Sequence, residues 1–148
     1  MKKSAGIVFL LLAFVVVQAM AQYNTGDTEL NRTLVTIDAD ASVNFGAFRA
    51  DLSGRYNVTD NKIDYLSVNV GMSAGDIYMT LEIARITSKT VDQVVTVYKK
   101  NRGKGWGVIA KELGIKPGSP EFHALKGNAK MKGNKASHGN NGKGNGKK

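Results

Sequence analysis

The feature that most limits what this chain can fold into is the recurrence of helix start and stop signals along its second half. Ser73-Ala74-Gly75-Asp76 has the form of a capping box. In such a box the serine covers orphan backbone donors and the acid three residues on reaches back. Behind it Ile77, Tyr78, Leu81 and Ala84 share one face at helical spacing. Thr90-Val91-Asp92-Gln93 repeats the box, and Val91, Val94, Val95 and Tyr98 form the next stripe. Gly103-Lys104-Gly105 ends that helix. Trp106, Ile109, Ala110 and Leu113 then recur at helical spacing, and Gly114 stands where a left-handed C-terminal cap belongs. Ser119 and Pro120 supply the N-cap and first-turn proline of a last short helix, with Phe122 and Leu125 inward. A chain punctuated so often buries its apolar residues as short helices packed side by side. The expected fold class is mainly α, a small bundle of short helices in helix-turn-helix-like units.

Upstream, Phe45, Phe48, Leu52 and Tyr56 suggest a helix closed by Asn57, and Thr59-Asp60 starts another that carries Ile63, Leu66 and Val70 on one side. Residues 35–45 (VTIDADASVNF) alternate apolar and polar at every step, which is a strand period. Residues 22–44 are therefore expected as an N-terminal arm, strand-like or extended in part, ahead of a helical domain over residues 45–126. A faint internal repeat fits stacked helix–turn–helix units: Ile83-Ala84-Arg85 recurs as Ile109-Ala110-Lys111, and each is followed by a turn and a Thr90 or Ser119 cap.

At the N-terminus, Lys2 and Lys3 precede an apolar run from Ala5 to Val17, and Ala19 and Ala21 are small residues two apart. This is the pattern of a signal peptide over residues 1–21, cut between Ala21 and Gln22. The run is shorter than the about 20 apolar residues of a spanning helix. Export to the periplasm or beyond is expected, with no stable transmembrane segment after processing. The chain has no cysteine, so neither a lipid anchor on cysteine nor disulfides can help, and the fold must stand on its core.

Charge is unevenly spread. Residues 22–97 hold 6 basic and 10 acidic side chains, whereas residues 98–148 hold 13 and 2. Residues 127–148 contain 6 lysines, 6 glycines and 5 asparagines, with no acid and almost nothing to bury. Such a tail is expected to be disordered. Its charge would draw it to polyanions or anionic lipid surfaces in a salt-dependent way, or serve only to keep the chain soluble.

The candidate chemistry is sparse. "GKGWG" lacks the glycine spacing and the preceding strand of a dinucleotide fingerprint, and it is not a phosphate-binding P-loop. A glycine-flanked basic turn before a helix does present amide donors near positive side chains, so weak anion binding there is physically cheap. His138 lies in the tail, and His123 sits beside Phe122 with no cysteine to join it in a metal site. Asp38 with Asp40, and Asp60 with Asp64, read as solvated or helix-start acids rather than acid–base pairs. A serine nucleophile would find only His123 as a base. No enzyme activity, cofactor or metal is expected.

Two binding readings stand. In the first, a basic face made by Lys99, Lys100, Arg102, Lys104, Lys111 and Lys116, with Trp106 alongside, meets anionic polymers, lipid headgroups or an envelope protein. Trp106, at the first position of its helix, reads more readily as a core anchor. In the second, "IAKELGI" acts as the first helix and turn of a DNA-reading pair whose second helix offers Glu121, His123 and Lys126. The turn is about two residues longer than the compact motif, and a leader would direct the chain away from the chromosome.

The block YKKNRGKGWGVIAKELGIKPGSPEFHALKG, with VGMSAGDIYMTLEIARI before it, closely resembles an uncharacterised family of small exported bacterial proteins. In that family similar Gly-Trp-Gly, Ile-Ala-Lys, Gly-Ile-Lys-Pro-Gly-Ser and Glu-Phe-His sequences close the domain, and a lysine/glycine-rich tail often follows. The resemblance covers roughly residues 45–127 and is most specific over 98–127. It implies a bacterial source and an envelope or extracellular location, and it implies no activity.

Overall fold

The structure is a computed structural model that describes residues 23–138. The expected leader, with its cut between Ala21 and Gln22, and the chain after His138 lie outside the described residues. Among the described residues seven helices follow one another: α1 (Thr28–Val43), α2 (Phe45–Tyr56), α3 (Asp60–Asp64), α4 (Ala74–Thr87), α5 (Val91–Lys100), α6 (Trp106–Glu112) and α7 (Pro120–His138). A π-helical turn, Tyr65–Asn69, extends α3. The mainly α fold class is what the spacing of caps and stripes implied, and no strand occurs among the described residues.

The caps form where the local sequence places them. Ser73 with Asp76, and Thr90 with Gln93, close both hydrogen bonds of their boxes. Asn57 takes the left-handed conformation at φ 51, and Gly114 does so at φ 99. Ser119 Oγ accepts from the Phe122 amide at 3.2 Å. Helix α4 is the hub, with every residue from Gly75 to Ala84 buried. Around it pack α1, α2, the π-helical turn, α5 and α7.

Two expectations are corrected. Residues 35–43 are not strand-like or extended but lie within α1, whose buried face is Leu30, Leu34, Ile37 and Ala41. The apparent alternation begins just past Leu34, so it misses the two leucines that set the helical period. Val43, one of the alternating apolar residues, is 87% exposed. Thr33 and Thr36 bond back to the carbonyls of Glu29 and Arg32, which suits β-branched residues to this helix. Tyr23 and α1 share one core cluster with the helices that follow.

The second correction concerns the tail. Residues 127–138 are not disordered but belong to α7. Ala129 is fully buried, and Asn128 donates to Glu82 Oε1 at 2.6 Å. Lys126 pairs with Asp27 and Glu29 at 2.9 Å each, Lys130 pairs with Glu29 at 3.1 Å, and Lys132 pairs with Asp51. Repulsion among these lysines is offset by acids of α1 and α2, which the composition of the tail alone does not reveal.

Candidate functional site

The glycines around the lone tryptophan have a physical purpose. Gly105 sits at φ 86, and a Cβ there would lie 2.6 Å from Asn24 Cβ and 3.0 Å from the Asn24 carbonyl oxygen. The Gly107 amide donates to that carbonyl at 3.0 Å. A Cβ on Gly107 would press on Asn24 and Thr25 oxygens at 3.1 and 3.2 Å. The turn is therefore the dock for the N-terminal segment Tyr23–Thr25, whose backbone could not approach so closely past larger residues.

Between the two glycines Trp106 points inward and is 1% exposed. Its Nε1 donates to Asp76 Oδ1 at 2.8 Å, and its ring lies 5.5 Å from that of Tyr98. Asp76 Oδ2 accepts from the Tyr98 hydroxyl and the Ser73 amide, both at 3.2 Å. Ser73 Oγ is 2.8 Å from the Tyr23 hydroxyl, which in turn donates to Asp38. Asp38 Oδ1 accepts from the Gly75 amide at 2.8 Å. This chain of bonds ties the N-terminal segment to α1, α4, α5 and α6. Burial, reinforced by Asp38, pushes the Tyr23 hydroxyl far above its ordinary pKa; burial and then Asp76 push Tyr98 up to about 12. Both hydroxyls stay protonated and serve as donors. With its acceptors filled, the network locks the N-terminal segment onto the helices.

A hollow of about 300 Å³ beside the lock is lined by Asp76, Tyr98, Arg102, Trp106 and Ile109 with two glycines. Arg102 closes it by donating to the Val70 carbonyl and lying 5.7 Å over the Tyr98 ring. A second buried acid, Glu82, is 2% exposed and accepts from Tyr56 at 2.7 Å, from Arg85 and from Asn128. Burial alone would raise its pKa, but these three donors outweigh it and hold Glu82 below the usual carboxylate range.

The sequence-derived contact residues separate into groups. Trp106 cannot serve as a surface contact, because it is buried and bonded to Asp76; the core-anchor reading is the one that fits. Lys99, Lys100, Arg102, Lys104, Lys111 and Lys116 are exposed. Of these, Lys100 pairs with Glu112 at 2.7 Å, and Arg102 is tied to Val70. Glu112 also accepts from Asn101 at 2.7 Å, which holds the end of α5 against α6. Lys100 and Asn101 keep Glu112 below its ordinary pKa. Lys99, Lys104, Lys111 and Lys116 form no ion pair among the described residues. They cluster in sequence along the α5–α6 arm and the loop after it.

Other candidates find different places. Asp60 and Asp64 clamp Arg49 at 3.5 and 2.8 Å. His123 is exposed beside Phe122. In the helix-turn-helix-like pair, α7 packs lengthwise on α1, and Lys126 of its polar face is held by Asp27 and Glu29. Among the described residues no group of three His, Asp or Glu could hold a metal ion, and no helix is long and apolar enough to cross a membrane. Sequence reasoning missed the Tyr23–Asp38–Ser73–Asp76–Trp106 lock. Its one local trace is the pair of glycines flanking Trp106, which mark close backbone approach without naming the partner. No family model, curated protein or solved structure matches the chain.

Proposed function

We propose that this chain is an exported, non-enzymatic binding module that takes anionic envelope polymer or lipid headgroups on Lys99, Lys104, Lys111 and Lys116. One observation carries the reading. The lysines of α7 near the acids of α1 and α2 are paired, whereas these four are exposed and form no ion pair among the described residues. Exposed cations outside ion pairs on one arm attract polyanions over about a Debye length, ~10 Å at 0.1 M salt. The resemblance to small exported bacterial proteins supports the location, and nothing in the reading calls for a cofactor. Nucleic-acid binding through α6 and α7 is the rival, and it would have to proceed with Lys126 already engaged.

A salt-titrated binding assay on anionic vesicles, lipopolysaccharide and duplex DNA tests the reading. Each lysine at an anionic surface contributes roughly a fivefold factor in affinity. Replacing all four by glutamine should therefore weaken vesicle or lipopolysaccharide binding on the order of several hundredfold and flatten its salt dependence. Binding that survives the four substitutions, or that is tight only for DNA, would contradict it.

A further inference from the structure

A cleft of about 530 Å³ opens where α1, α2 and the far end of α7 meet, on elements that carry none of the four free lysines. That volume lies within the range of small-molecule pockets. Its floor is apolar: Ile37, Ala41 and Phe48 are 2%, 3% and 6% exposed. Over the floor, Asp51 and Lys132 neutralise each other, and the Lys132 ammonium rests 5.4 Å from the centre of the Phe48 ring. Lys135 stands exposed at the rim. The remaining charge is Asp40. Its Oδ2 is buried and meets no hydrogen-bond donor among the described residues. A carboxylate oxygen that has lost water without gaining a donor raises the free energy of the fold. The cleft thus combines an acceptor in need of a charged N–H donor with an apolar bed, the Phe48 face being taken by Lys132.

We propose that this cleft binds a small amphiphilic amine, with the ammonium on Asp40 and the apolar chain along Ile37, Ala41 and Phe48. The cleft shares no residue with the polyanion face, so either reading can fail without the other.

The test is calorimetric titration of the processed chain with n-alkylammonium ions from butyl to octyl, with 1-hexanol and hexanoate as controls. Hexylammonium should bind saturably at one site, and affinity should rise about fourfold per added methylene. Asp40→Asn should weaken it at least about tenfold, the scale of one lost charge-assisted hydrogen bond, while the melting temperature holds or rises. Phe48→Leu should weaken it less, and Lys135→Gln should leave it intact or tighten it. Absence of saturable binding, equal binding of hexanol, or indifference to Asp40→Asn would overturn the proposal. So would a lowered melting temperature in Lys135→Gln together with no amine binding, which would identify Lys135 as the donor that Asp40 needs.

Discussion

Trp106 and Gly105 can each be altered so that one contribution is removed at a time. Trp106→Phe keeps most of the ring but deletes the donor to Asp76, a carboxylate only 6% exposed. Leaving that oxygen unpaired should cost about 1–3 kcal/mol. Trp106→Ala should cost more, about 3–5 kcal/mol, because a cavity is added. Urea denaturation measures both, and equal losses would show that packing around the indole contributes nothing. Glycine substitution tests the docking of the N-terminal segment. Gly103 and Gly105 share φ 86, but a Cβ on Gly103 meets nothing within 4 Å whereas one on Gly105 meets Asn24 at 2.6 Å. Both alanine variants carry a positive-φ penalty of at least roughly 1 kcal/mol, and at Gly105 ψ 165 adds to it, a backbone combination kept for glycine. Gly105→Ala should therefore lose at least about 1 kcal/mol more than Gly103→Ala. Equal losses would mean that Tyr23–Thr25 does not lie against the turn.

Among the elements, α7 is fastened differently from the rest. Leu125 and Ala129 are buried apolar residues of α7, and much of its attachment to α1, α2 and α4 is polar. Truncation after Gly127 would remove Ala129, the Asn128–Glu82 bond and the Lys132–Asp51 pair, so the melting temperature should fall by several degrees. An unchanged value would restore the disordered-tail expectation. The pH dependence has a definite sign. Burial tends to raise the pKa of Asp27, but the Leu30 amide and Lys126 outweigh it; Lys126 and Lys130 lower that of Glu29. Lowered carboxylate pKa values add stability above their unfolded values of about 4, and that stability is lost as pH falls through the folded ones. Hydrogen exchange at about pH 3 should therefore open α7 before α4, and simultaneous opening would argue against a polar attachment. The same element shows what sequence could convey. The boundaries of α4, α5 and α6 were legible because caps are local: Ser73 and Asp76 are neighbours. The last turns of α7 were not, because Lys132 needs Asp51, distant in sequence, and a tail read alone shows only repulsion. Helix α1 was missed for a related reason, its period being set by Leu30 and Leu34, outside the window that alternates.

Among the described residues, the acidic first half and basic second half meet across α1 and α7, and the α5–α6 arm with the loop after it adds four exposed lysines that form no ion pair. Two buried tyrosines, Tyr23 and Tyr78, and the partly buried Tyr56 report on the integrity of this assembly. Burial is the leading cause that raises the pKa of Tyr23, Tyr56 and Tyr78 well above the ordinary range. Raised values contribute stability that is complete below the unfolded pKa of about 10 and is lost as pH climbs toward the folded ones. Their tyrosinate absorbance should thus appear together with the loss of helical circular dichroism. Earlier ionisation of more than two of the five tyrosines would place those hydroxyls outside the core. The central claim is that the glycine–tryptophan turn is an internal dock and that partners meet the lysines around it. The chain has one tryptophan, so its fluorescence, read with and without anionic vesicles, tests this most directly. The expected result is blue-shifted emission, poorly quenched by acrylamide, that stays in place when vesicles bind. Red-shifted, freely quenched emission that moves to the blue on binding would put Trp106 at the surface and in the contact, and would contradict the account.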